Sequence, residues 1–97
     1  MEFLVIAYDG KDSVAKARRL AVRPAHMKNI QPFVNSGKFI NGGAILDDNG
    51  EMIGSTLYMD FASRAEFDQW FESDPYYTEG VWVDINIQPI KLAFRNT

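Results

Sequence analysis

The chain carries a single histidine, His26, within the stretch Arg23-Pro24-Ala25-His26. Imidazole is the side chain whose ordinary titration falls near neutrality, so it can both take up and release a proton at physiological pH. A second stretch, Ser73-Asp74-Pro75-Tyr76, has the same design: a polar residue beside a proline, at the joint of two helical segments. The two joints are expected to converge in space. Asp74 would then accept a hydrogen bond from one nitrogen of His26, fix the tautomer of the ring, and leave the other nitrogen to act as base or acid. Each residue also has a plainer use. His26 can be an ordinary surface residue of a helix, and Asp-Pro is a good N-cap and N1 pair for the turn Pro75-Thr78.

Other side chains could complete such a site. Arg23 could neutralise an anionic substrate, or be a solvated arginine at a helix end. Ser55 follows Gly54, where missing side-chain bulk could admit a ligand; it could equally be an ordinary strand hydroxyl. Tyr76 or Tyr77 could wall a pocket, or be core. The basic run Lys11, Lys16, Arg18, Arg19, Arg23, Lys28 reads as a solvated helix face. One histidine and no cysteine leave no tight metal-ligand set. Gly42-Gly43 is not a phosphate loop, because no Gly-Lys-Ser/Thr follows.

The elements that would position these residues follow from periodicity. Phe3 to Tyr8 is apolar at both parities, as in a strand covered on both faces. Val14, Ala17 and Ala21, with Leu20 beside them, mark the apolar side of a first helix that should end near Val22, because Arg23 precedes a proline. Pro24 should open a second segment with Met27, Ile30 and Val34 inward and His26 at the border; Pro32 should kink it and Gly37 stop it. Strands over Phe39 to Leu46 and Gly54 to Phe61 flank the turn Asp47-Asp48-Asn49-Gly50 and should pair as a hairpin. Ser63-Arg64-Ala65-Glu66 matches a capping box ahead of a helix burying Phe67, Trp70 and Phe71. Val81, Val83, Ile85 and Ile87 alternate with Trp82, Asp84, Asn86 and Gln88 in a last strand, which Pro89 places at an edge or a bend.

The order β-α-β-β-α-β is that of a ferredoxin-like α+β fold, with an antiparallel sheet and both helices on one face. The 97 residues imply one domain, 1–97. A chain of this size buries only about 60% of the surface it exposes when unfolded, and the uncovered sheet face is too apolar to stay wet, so a homodimer packed sheet to sheet is expected. The net charge of −3 gives no global case for nucleic-acid binding. No apolar run approaches the ~20 residues of a membrane span. The absence of cysteine leans towards the cytoplasm.

Taken in order, the opening strand, Arg23-Pro24-Ala25-His26 before a helix ending at Gly37, the hairpin through Gly43 to Gly54-Ser55, and Ser73-Asp74-Pro75-Tyr76 resemble the YciI-like family of dimeric α+β barrel proteins. The resemblance covers nearly the whole chain. It implies a dimer and a pocket whose histidine and aspartate form a catalytic pair, roles that fall on His26 and Asp74. One branch resembling this family removes chloride from a chlorinated hydroxyhydroquinone. This chain departs from the pattern at Gly43-Ala44, where many relatives have Gly-Pro, and at Pro32. The function expected is a cofactor-independent lyase or isomerase acting on a small aromatic or anionic metabolite. A non-catalytic module that binds a small ligand is the alternative, and a heme- or quinone-handling monooxygenase follows only from fold analogy.

Overall fold

The computed structural model describes residues 1–95. It contains β1 (Glu2–Asp9), α1 (Ala15–Asn35), β2 (Phe39–Leu46), β3 (Met52–Asp60), α2 (Arg64–Ser73), α3 (Pro75–Thr78) and β4 (Trp82–Ile90). The strands form one antiparallel sheet in the order β2-β3-β1-β4, the ferredoxin-like arrangement. In β1, Phe3, Val5 and Ala7 lie opposite Met59, Leu57 and Ser55 of β3, and all six are buried beneath the helices. The alternate residues Leu4, Ile6 and Tyr8, opposite Tyr58, Thr56 and Gly54, belong to the face without helices. Pro89 is tolerated in β4 because that strand has a neighbour on one side only.

The core gathers Phe3, Val5, Leu57 and Met59 from the sheet with Ile30 of α1, Phe67, Trp70 and Phe71 of α2, and Phe61. Ser63 caps α2, its hydroxyl accepting from the Glu66 amide, a bond worth about 1 kcal/mol. At the other end of the sheet, Tyr8 pairs with Asp84 but Asp9 pairs with Trp82. Val83 is therefore the extra residue of a bulge, which bends the strand and breaks its alternation. Val83 turns to solvent, and Trp82 is buried on the helix side with Ile85 and Ile87 packing behind it.

Helix α1 corrects the sequence reading twice. It runs unbroken through Pro24 and Pro32 instead of ending near Val22. An interior proline removes one helical hydrogen bond and costs about 3 kcal/mol or more in isolation. Here both prolines lie on the exposed side, so the freed carbonyls of Leu20 and Lys28 face water. The inward stripe Ala15, Arg19, Val22, His26, Ile30, Phe33 stays continuous at three- and four-residue spacing, and its packing holds the helix together. The second correction is the face. Val14, Ala17, Leu20 and Ala21 point outwards, while Arg19, taken for a member of a solvated basic face, is only 4% exposed. Gly37, at φ 81°, ends the helix in the left-handed region that glycine favours.

Candidate functional site

The site forms where the N-terminal half of α1 crosses the ends of β1, β3 and β4. Asp9 closes β1 on the helix-facing side, and Arg19 lies one turn into α1. Arg19 Nη1 donates to both carboxylate oxygens of Asp9, at 2.9 and 3.0 Å, and Nη2 donates to Ser55 Oγ at 2.9 Å. Trp82 Nε1, brought inside by the bulge, donates to the same Ser55 Oγ at 3.1 Å. Burial pushes the Asp9 carboxyl up, and the hydrogen bonds and charge of Arg19 pull it back only in part.

Two turns further along α1, His26 Nδ1 lies 2.8 Å from Asp74 Oδ1, and both side chains are buried. Asp74 stands between α2 and α3. Its Oδ1 also accepts from the Tyr76 amide at 2.9 Å, and its Oδ2 from Asn29 Nδ2 at 3.3 Å. A carboxylate only accepts, so Nδ1 carries a hydrogen, and in the neutral ring Nε2 then carries the lone pair. The His26 ring stacks on Tyr76 at 4.0 Å between centroids and meets the edge of Trp82 at 5.7 Å. The Arg19 guanidinium lies 4.8 Å from the Tyr76 ring centre. The Tyr76 hydroxyl is buried without a partner among the described residues. Burial pushes this phenol up, against the pull of Arg19 and Arg23.

These groups border a cavity of about 290 Å³, lined by Arg19, Arg23, His26, Ser55 and Tyr76 and closed by apolar residues including Leu57. Asp74 is fully buried behind the imidazole and does not touch the cavity. Arg23 is exposed at its edge. Tyr77 lies elsewhere, against Phe71. Gly54 makes no room for a ligand: a Cβ there would meet the Ala7 carbonyl at 2.6 Å, so its missing side chain serves the approach of β1. Among the described residues, no group of three or more potential His, Cys, Asp or Glu ligands could hold a metal ion.

The YCII-related domain model matches residues 1–91. The chain belongs to the YCII-related domain family. It is 32% identical over 100 residues to Protein YciI of Escherichia coli, covering 97% of this chain and all of that one. An uncharacterised protein of Haemophilus influenzae is 29% identical over the same span. Among solved structures, the 5-chloro-2-hydroxyhydroquinone dehydrochlorinase of Burkholderia phenoliruptrix AC1100, in complex with 2,5-dihydroxybenzoquinone, superposes with TM-score 0.80 at 26% identity over 94% of each chain. A protein of Agrobacterium tumefaciens, at TM-score 0.56 and 14% identity over 98% of this chain and 97% of that one, shares the fold.

In this YCII-related chain the sequence reading missed Asp9, Arg19, Asn29 and Trp82. A signal for Arg19 was present, because it lies four residues after Ala15 and seven before His26, on the same face of one helix. Trp82 had none, because the bulge that re-aims it depends on how β4 pairs with β1. No helix among the described residues is long and apolar enough to cross a membrane.

Proposed function

We propose that this YCII-related protein is a cofactor-independent enzyme of lyase or isomerase type in which His26 Nε2 is the general base and acid. The observation that carries this reading is the 2.8 Å contact between His26 and buried Asp74 at the wall of a cavity. Asp74 holds the ring in one tautomer, and Nε2 has no partner among the described residues. A substrate X–H in the cavity delivers its proton to Nε2. The resulting imidazolium, beside the Asp74 carboxylate, returns it to a leaving group or to another atom of the same molecule. A proton transfer of this kind contributes on the order of 10²–10⁴-fold.

The walls support a substrate class. Met27, Ile30, Phe39 and Leu57 offer apolar surface to a planar body, and Arg23 offers positive charge to an anionic group. The likeness to a dehydrochlorinase solved with a dihydroxybenzoquinone favours a hydroxylated aromatic or quinone. The helix-free face of the sheet, with Leu4, Ile6 and Tyr58 at its centre, is the proposed contact between two copies in a homodimer.

The test is a thermal-shift and turnover screen of hydroxylated aromatics, starting from 5-chloro-2-hydroxyhydroquinone with chloride release as readout. The His26→Ala protein is expected to bind the identified substrate and to turn it over about 10²–10⁴-fold more slowly. A folded His26→Ala protein with full turnover overturns the reading. Ligands bound but never converted by the native protein would leave a small-ligand-binding module.

A further inference from the structure

The hydroxyl of Ser55 is held in an arrangement that leaves it one use. A serine oxygen accepts along two lone pairs and donates one hydrogen. Both acceptor positions are taken, by Arg19 Nη2 at 2.9 Å and Trp82 Nε1 at 3.1 Å. Guanidinium and indole nitrogens cannot accept in return, so the Ser55 hydrogen has nowhere to go within this cluster. No described residue takes it, and Ser55 is only 3% exposed, yet it lines the cavity. An ordinary hydroxyl rotates to donate or accept as its partner requires; this one is locked as a donor. Arg19 Nη1 is committed to Asp9, and Nη2 donates to the Ser55 oxygen, so the Arg19 charge polarises the Ser55 O–H.

We propose that Ser55 binds an oxygen of the molecule in the cavity, donating its hydrogen to a carbonyl, enolate or phenolate, with Arg19 and Trp82 as positioning residues that fix the direction of that bond. The inference rests on the proposed acid–base reading and deepens it. His26 Nε2 accepts and Ser55 donates. A matched substrate therefore presents an acidic X–H to the imidazole and gathers negative charge on an oxygen that faces Ser55. Phenols, hydroxyquinones and enolisable ketones have this polarity; amines and alkyl cations do not. A hydrogen bond to a charged oxygen is roughly twice as strong as one to a neutral oxygen, so the site favours the ionised ligand.

The test uses 4-nitrocatechol, whose phenolate absorbs in the visible, titrated into the native protein and into Ser55→Ala, Ser55→Thr and Trp82→Phe across the pH range in which the ligand ionises. Ser55→Ala is expected to weaken binding of the ionised form about 10- to 100-fold and of the neutral form less than about threefold. Ser55→Thr keeps the hydroxyl and restores the preference. Trp82→Phe frees one lone pair, lets Ser55 accept from a neutral O–H, and lowers the preference for the ionised form while binding persists. If Ser55→Ala does not fold, the last two variants decide. Equal loss for both ionisation states, no loss at all, or no complex with the native protein overturns the proposal. A His26→Ala protein with full turnover, alongside the ionised-form deficit in Ser55→Ala, removes the base and keeps this site; the opposite pattern removes this site and keeps the base.

Discussion

Replacing Arg19 by methionine keeps an unbranched stem of similar reach and removes the guanidinium. Asp9, with a side chain 5% exposed, then loses both of its short hydrogen bonds. Breaking a buried ion pair by removing one partner costs about 3–5 kcal/mol, against a total stability of about 5–15 kcal/mol for a small domain. At fixed protein concentration the thermal midpoint should fall by roughly 12–40 °C, taking about 4–8 °C per kcal/mol. The pH dependence of the loss identifies its cause. Burial raises the Asp9 carboxyl above its ordinary value of 3.8, and Arg19 is what lowers it. Without Arg19 only the upward push remains. A group whose pKa is raised by folding contributes stability that is present below its unfolded value and is lost as pH rises through the folded one. The variant should therefore be close to native stability at the acid end, where Asp9 is neutral, and show the full deficit near neutrality. Urea unfolding followed by tryptophan fluorescence, on native and variant protein from mildly acidic to neutral pH, measures the difference. A deficit of the same size throughout would refute the argument, because it would place the loss in packing or in the Arg19–Ser55 bond and not in an unpaired carboxylate.

Two further outcomes follow from the same geometry. Burial raises the Tyr76 phenol above its ordinary value of 10.0, so the stability it contributes is intact below that value and is lost as pH rises through the shifted one. A near-ultraviolet phenolate titration should show one tyrosine that ionises late, together with alkaline unfolding, and Tyr76→Phe should abolish that component; its survival in the variant would assign it to another tyrosine. Ile6→Lys on the helix-free sheet face, the proposed dimer contact, should raise the dissociation constant of the proposed dimer at least about 100-fold by placing an unpaired ammonium there, and unchanged mass in sedimentation equilibrium would show that the sheet face is not an interface.

The sheet was legible because β1 is a short run apolar at both parities and β3 keeps strict alternation. Phe3, Val5, Ala7, Leu57 and Met59 are apolar at a period of two, and a slip by one residue would expose all of them. Helix α1 was legible in position and not in orientation. Its apolar residues are spread around the cylinder, and its inward stripe contains Arg19 and His26, so hydrophobicity pointed to the outward Val14 and Leu20. Local rules also ended the first helix near Val22, ahead of Pro24, because they carry no information on which side of the helix a proline falls. Asp9 could not be placed in the site from sequence because its partner is ten residues away, on an element whose rotation was not fixed. His26 and Asp74 were singled out by residue type and by the prolines beside them, both local features of the chain.

The plain and the chemical uses of Asp74 are compatible, and their combination explains an odd placement. A carboxylate at the C-terminus of α2 faces the negative end of that helix, where it is disfavoured. The same residue is the N-cap of α3, and Pro75 at the first position of that turn needs no hydrogen-bond acceptor. The Tyr76 amide and the His26 ring share Oδ1, while Asn29 takes Oδ2. The carboxylate is thus aimed by the backbone turn before any ligand arrives, and the imidazole it holds is stacked on the side chain of the residue whose amide does the aiming. Capping therefore preorganises the proposed acid–base pair. A substitution that kept the charge but lengthened the side chain, Asp74→Glu, would displace the carboxylate from both partners at once, so the helical turn and the orientation of the imidazole would be lost together.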